Sequence, residues 1–257
     1  MAKHDHSRAK QPTAKSRQPV HPAARPAAAE GNDKKFRFFT CLLLAAVIAA
    51  YANHFFNSYH FDDFHTILNN SYIRSLRNIP RFFTDATTFS SLPTNQSYRP
   101  LVSASLALDY FWGHGNLFFF HLSTFLLFLL QGFVMYKLFV IIFNLSERSP
   151  ANRFVALAAV AWYLLHPANA ETINYIIARS DSLSTLLILL AFAAYLRWGS
   201  GKLRYMYLIP FALSCLAKPI GAIFAPLLLI YIYLFEDNNE QSKSRFLVSL
   251  KKAAPAF

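Results

Sequence analysis

Charge is scarce in this 257-residue chain: only 15% of its residues are Asp, Glu, Lys or Arg. A soluble domain carries about 25%, because it has to cover its surface. The shortage excludes an ordinary water-soluble globule. Cysteine is scarcer still. Cys41 and Cys215 both lie inside apolar runs, which excludes a disulfide scaffold and a zinc ribbon. Seven Gly and 13 Pro exclude a collagen-like or low-complexity chain. Acidic residues are few as well, 13 against 25 Lys and Arg, but the excess does not describe a nucleic-acid partner. Nine of the basic residues, against three acids, fall within residues 1–37, and the rest lie in short loops with no fold around them. What the chain has in quantity is apolar surface: 54% hydrophobic residues and 26 Phe. This is the composition of an all-α polytopic membrane protein.

Residues 1–36 hold no aromatic before Phe36 and mix Lys, Arg, Pro, Ala, Gln and His. Such a stretch buries too little apolar area to offset its chain entropy, and reads as a disordered basic tail. Six uncharged runs follow, giving a transmembrane domain over 37–235 with about six helices. Phe38–Phe61 is the first, and Tyr110–Tyr136 the second, extended to Ser146 past Lys137. Phe154–Ala170, Ser182–Leu196, Tyr205–Ala217 and Pro219–Phe235 are shorter than the ~20 residues of a straight span. Residues 236–257 read as a polar tail. With the basic tail in the cytoplasm, alternation puts Arg148, Arg153, Arg197, Lys202, Arg204, Lys243, Arg245, Lys251 and Lys252 on the same side, as the positive-inside rule requires. Both termini are then cytoplasmic.

That topology leaves one long outer segment, about 62–109, where function is expected. Within it, residues 70–80 predict a capped helix with Asn70 or Ser71 at its N-cap and Pro80 at its end. Ile73, Leu76 and Ile79 share one side, and Arg74, Arg77 and Arg81 another. The pattern fits either an interfacial helix near lipid phosphates or a plain amphipathic connector.

Ionisable side chains at membrane depth are costly, so each needs a reason to be there. Asp62 and Asp63, between Phe61 and Phe64-His65, stand where the first span leaves the bilayer. They are either a solvated loop start or an acid–base pair, one accepting a proton while the other binds a donor or a metal. Arg99, in Ser97-Tyr98-Arg99-Pro100, offers a fork suited to phosphate or a cation snorkelling to the interface. His166-Pro167 and then Glu171, Arg179 and Asp181 occupy the next outer connection, where a neutral turn would have sufficed. Lys218 follows between the last two runs, as a boundary charge or a phosphate ligand. Together, carboxylates and cations on one face suit an anionic, lipid-borne substrate.

These motifs, taken in order, resemble the GT-C superfamily of polyprenyl-phosphate-sugar glycosyltransferases. Phe61-Asp62-Asp63-x-His65 resembles the Phe-Asp-Glu-x-His motif of protein O-mannosyltransferases, with Asp for Glu at the second acid. Ser97-Tyr98-Arg99-Pro100-Leu101, His166-Pro167-x-x-x-Glu171, Ala178-Arg179-Ser180-Asp181 and Leu216-Ala217-Lys218 are more similar to the transmembrane tetratricopeptide-repeat O-mannosyltransferases. The similarity runs from about Phe36 to Phe235. Members of that family have more spans, and the closest group has helical repeats after them. This chain stops at Phe257, as a truncated product, a fragment or a half-sized relative would.

The resemblance implies inverting transfer of a sugar from a polyprenyl-phosphate donor to a hydroxyl of a protein or glycan acceptor, within membrane lipid. Asp62 is then the general base, and Asp63 orients the acceptor or, with Asp62, holds a divalent Mg or Mn ion if one is used. Arg99, Arg179 and Lys218 bind the donor phosphate, and His65, His166, Glu171 and Asp181 support them. The competing class is a non-enzymatic polytopic scaffold or an inactive piece of a transferase. The membrane expected is a bacterial inner membrane, with the endoplasmic reticulum as the alternative. In the latter, Asn69-Asn70-Ser71 and Asn95-Gln96-Ser97 would be glycosylation acceptors.

Overall fold

A computed structural model describes residues 27–198, 201–236 and 242–257, and every regular element in them is helical. The chain divides into two units, residues 1–38 and 39–257. In the first, the described part is the opening of α1 (Ala27–Ala50). Helix therefore begins at Ala27, inside the stretch expected to be a disordered tail through residue 36. Ala27–Ala29 and Glu30 are strong helix formers, with an acid near the N-terminus where the dipole favours it. Residues 1–26 of that expected tail lie outside the described residues.

Among its described residues, the second unit carries the rest of α1 and nine further α-helices. These are α2 (Ile79–Phe82), α3 (Pro100–Gly113), α4 (Leu117–Ser146), α5 (Asn152–Leu165), α6 (Asn169–Asn174), α7 (Arg179–Trp198), α8 (Leu208–Ala217), α9 (Phe224–Phe235) and α10 (Ser242–Ala253). Among the described residues three helical stretches, Gly31–Phe56, Leu117–Ser146 and Ile176–Trp198, are long and apolar enough to cross a bilayer. The other three apolar helices, Asn152–Leu165, Leu208–Ala217 and Pro219–Phe235, are shorter. Proline sets their limits. Pro167 follows the end of α5, and Pro219 interrupts what would otherwise be one α8–α9 helix, because the residue before Pro avoids helical geometry. Lys218, in that position, is extended at φ −158°, ψ 138°.

α4 lies at the centre, packed against α3, α5 and α7. Its start is fixed by a sharp corner: His114 (φ 49°) and Gly115 (φ 86°) turn the chain, and the Asn116 side chain accepts the Phe118 N–H at 2.9 Å, an N-cap. Gly132 lets α5 approach, since a Cβ there would lie 2.9 Å from Leu164. Two polar bridges hold α5: Tyr51 Oη, just past α1, donates to the Leu164 carbonyl at 3.0 Å, and Gln131 of α4 donates to Tyr163 Oη. One apolar cluster, with Ile73, Phe82, Leu106, Phe120 and Ile176, packs around residues 62–109. Another, with Ala191, Phe224 and Leu228, joins α7 to α9.

The single helix expected over 70–80 is absent. Short 3-10 turns at Tyr72–Arg74 and Leu76–Asn78 stand there instead, separated by extended Ser75, and Pro80 begins α2 rather than ending a helix. The cause is Asn70. It is fully buried and donates through Nδ2 to the carbonyls of Thr66, Thr88 and Phe89, while its Oδ1 accepts the Tyr72 N–H. A buried amide with its bonding capacity filled outweighs a local helix preference.

Candidate functional site

The site begins where the chain leaves the first long helix. Phe61 adopts φ 42°, a strained left-handed conformation for an aromatic residue, of a kind that clusters at functional sites. Asp62 follows, half exposed, its backbone N–H donating to Tyr175 Oη at 2.9 Å. Phe64–Leu68 then forms one π-helical turn, closed by the Asn69 N–H on the Phe64 carbonyl at 2.8 Å. This turn sets His65 beside Asp62, with Nε2 to Oδ1 at 3.2 Å. Ser90 Oγ accepts the Leu92 N–H and lies 2.9 Å from His65 Nδ1. The Ser90 hydroxyl also lies 3.2 Å from the Leu92 carbonyl, a second acceptor for its one hydrogen. Nε2 rather than Nδ1 is the His65 nitrogen nearest Asp62. The Asn95 amide group sits 2.9 Å from the same Nε2. Burial around Tyr175 pushes its phenol up to about 12, so it stays protonated beside Asp62.

The cations come from two other segments. Arg99 precedes Pro100 at the start of α3, with its guanidinium 5.2 Å from the centre of the Phe89 ring and Nη1 3.4 Å from Ser180 Oγ. Its Nε–H is buried and has no partner, an unused donor. Lys218, beyond α8, donates from Nζ to both oxygens of Asp181 at 2.6 and 2.7 Å. Gly221 allows that turn: a Cβ there would fall 2.5 Å from the Ser214 carbonyl carbon. Glu171 on α6 is exposed. Asp62, Asn95, Arg99, Glu171, Asp181 and Lys218 line one half-open cavity of about 260 Å³.

Three of the expected residues are elsewhere. Asp63 is fully buried, its Oδ1 accepting the Ile177 N–H at 3.0 Å and its Oδ2 the His60 N–H at 3.1 Å. Burial raises its pKa above the usual carboxylate value, outweighing those two hydrogen bonds. It pins the Asp62 turn to the segment before α7 and does not line the cavity. Arg179, expected at the donor phosphate, is also fully buried. It pairs with Asp109 and donates to the carbonyls of Phe120 at 2.7 Å and Ile176 at 3.3 Å. Its charge is spent inside the helix bundle. His166 caps the turn after α5, accepting the Ala168 N–H at 3.2 Å, with its ring beside Trp162. Among the described residues, no group of three or more His, Cys, Asp or Glu is placed to hold a metal ion. Tyr175, Ser90 and Asp109 escaped the sequence reading as site residues, and Asn95 entered it only as a glycosylation acceptor. Only Asp109 carried a signal, as an acid at membrane depth in need of a partner.

No family model matches the chain, and no solved structure matches it. Among curated proteins, it is 30% identical to Protein O-mannosyl-transferase TMTC1 of Mus musculus over 161 residues, 61% of this chain and 16% of that protein. It is 25% identical to TMTC3 of Mus musculus over 170 residues, 65% of this chain and 18% of that protein. Against Tmtc1 of Drosophila melanogaster the identity is 29% over 192 residues, 71% of this chain and 21% of that protein. The chain thus spans between 16% and 21% of the length of these relatives. With its apolar helices it is a membrane protein, and it is similar in sequence to the protein O-mannosyl-transferases TMTC1 and TMTC3, as its motifs implied.

Proposed function

We propose that the cavity transfers a sugar from a polyprenyl-phosphate donor to the hydroxyl of a protein acceptor, on the membrane face opposite the basic tail. The observation that carries this reading is the convergence of one half-exposed carboxylate, Asp62, with Arg99 and Lys218 around a single cavity. The acceptor hydroxyl attacks the anomeric carbon, and the bond from that carbon to the phosphate oxygen breaks. The phosphate leaves with the electron pair, while Asp62 takes the hydroxyl proton as general base. His65 occupies Oδ1 of Asp62, leaving Oδ2 for the proton. Negative charge builds on the leaving phosphate, and the unused Nε–H of Arg99 and the ammonium of Lys218 stabilise it there. A bound phosphate competes with Asp181 for Lys218. Glu171, at the rim, faces the acceptor.

The test uses the 257-residue chain in nanodiscs, a panel of polyprenyl-phosphate sugars and hydroxyl-bearing peptide acceptors. Asp62→Asn keeps the side-chain volume and removes the proton acceptor, so transfer falls by about 10²–10⁴-fold. Transfer at the parental rate in that variant overturns the mechanism. No transfer by the parent with any donor returns the chain to the membrane-scaffold reading.

A further inference from the structure

A second cavity lies at the opposite ends of the helices that build the first. Arg179–Asp181 begin α7 beside the Asp62 cavity, and Tyr195 lies near its other end. Likewise α8 runs from Tyr207 to the residue before Lys218. Asp181 and Tyr195 are about 21 Å apart along α7, and Tyr207 and Lys218 about 16 Å apart along α8. The two cavities are therefore separate sites.

This second cavity, of about 290 Å³, is lined by Tyr195, Arg204, Tyr205, Glu236, Lys251 and Lys252 among others. Three cations face one carboxylate, and that carboxylate is already engaged: Tyr195 Oη donates to Glu236 Oε2 at 3.2 Å, and Lys252 Nζ lies 3.8 Å from it. The Arg204 guanidinium rests over the Tyr205 ring, 4.7 Å from its centre. Among the described lining residues positive charge outnumbers negative, and Arg204, Lys251 and Lys252 are all exposed.

The surroundings separate two kinds of anion. α10, which supplies the two lysines, anchors its C-terminal end through buried Ala253 and Ala256. It leaves Phe246, Leu247 and Leu250 exposed, with Phe257 beyond them. An apolar face ending in a basic cluster describes a helix lying in the membrane interface. A soluble phosphate would account for the cations alone; a lipid accounts for the cations and the apolar face together. We propose that this cavity binds the phosphate headgroup of an anionic glycerophospholipid, its acyl chains lying along Phe246, Leu247 and Leu250.

The test is competitive lipid retention by the 257-residue chain in detergent, read by native mass spectrometry with equimolar phosphatidylglycerol and phosphatidylcholine. The parent keeps phosphatidylglycerol preferentially. Lys251→Gln, Lys252→Gln and Arg204→Gln each lower that preference by about five-fold, as expected for one basic charge at a lipid surface. Arg148→Gln, an exposed charge in the connection between α4 and α5, leaves it unchanged. The conservative Lys251→Arg and Lys252→Arg variants keep the parental preference, which separates lost charge from a displaced helix. Equal retention of the two lipids by the parent, or parental preference in all three Gln variants, overturns the proposal. Displacement of phosphatidylglycerol by glycerol 1-phosphate at equal concentration overturns it too, in favour of a soluble phosphate ligand.

Discussion

Removing Arg179 separates two roles that a membrane-depth arginine can have. In Arg179→Met the long apolar stem keeps its place, but the Asp109 carboxylate loses its ion pair. That carboxylate is buried and keeps one neutral donor, Ser123 Oγ at 2.6 Å. The Phe120 carbonyl loses the guanidinium as well and keeps Thr124 Oγ1 at 2.8 Å. Breaking a buried pair by removing one partner costs about 3–5 kcal/mol, because a charge remains in a medium that cannot solvate it. For a chain of this size each kcal/mol moves the melting temperature by about 2–4 °C, so the variant melts roughly 6–20 °C below the parent. The double variant Asp109→Leu/Arg179→Met removes both charges and melts nearer the parent than either single change does, since a buried pair and a packed apolar replacement are often equivalent. Tryptophan fluorescence during heating in detergent reads these values, and binding of a polyprenyl-phosphate sugar is measured on the same samples. Arg179→Met with parental melting and weakened donor binding would refute this reasoning and move Arg179 to the ligand.

Three further changes follow from the geometry. Asp63→Asn puts an amide NH2 against one of the N–H groups of His60 and Ile177, and lowers stability by about 1–3 kcal/mol, whereas Asp62→Asn leaves melting unchanged. The same substitution alters the pH profile. Since Asp63 has a folded pKa above its ordinary 3.8, the folded state binds the extra proton, and stability declines as pH rises from about 4 through the raised value; Asp63→Asn melting curves lack that decline. Gly221→Ala pushes a methyl into the Ser214 backbone and costs about 1–3 kcal/mol. Gly132→Ala meets only the end of the flexible Leu164 side chain and costs less by the same melting assay. A reporter active only outside the cytoplasm is active when fused after Thr94 and silent after Lys202; the reverse pattern would invert the face assigned to the Asp62 cavity.

The features legible in the sequence are those that membrane physics makes expensive. Asp62, Arg99 and Lys218 stood out because a charge beside an apolar run needs a reason, and the structure gathers all three at one cavity. α4 stood out because nothing in its run breaks a helix. What stayed hidden depends on partners far along the chain. Asp62 and Asp63 are adjacent, and only the N–H of Ile177, 114 residues away, decides which carboxylate is buried. Arg179 finds Asp109 across 70 residues; local spacing gives no sign whether a cation's partner is a ligand or an acid on another helix. At Asn70 the capping rule was sound for an isolated segment, but the carbonyls of Thr88 and Phe89 offered the amide more than a helix end could.

The π-helical turn at Phe64–Leu68 has a consequence for tolerance to length change. It holds one residue per turn more than an α-helix, and such turns are often found where function is. Asp62 and His65 reach each other across its first half, while Asn69 and Asn70 close and anchor the other. Substitutions at exposed Phe64 or Leu68 keep this spacing. Deleting one residue within the turn lets it relax into ordinary α-helix, and the shorter turn absorbs the loss, so that Asn70 and the chain beyond it keep their place. In a regular helix the same deletion rotates everything beyond it by about 100°; here the chain can give up one letter that such a helix could not.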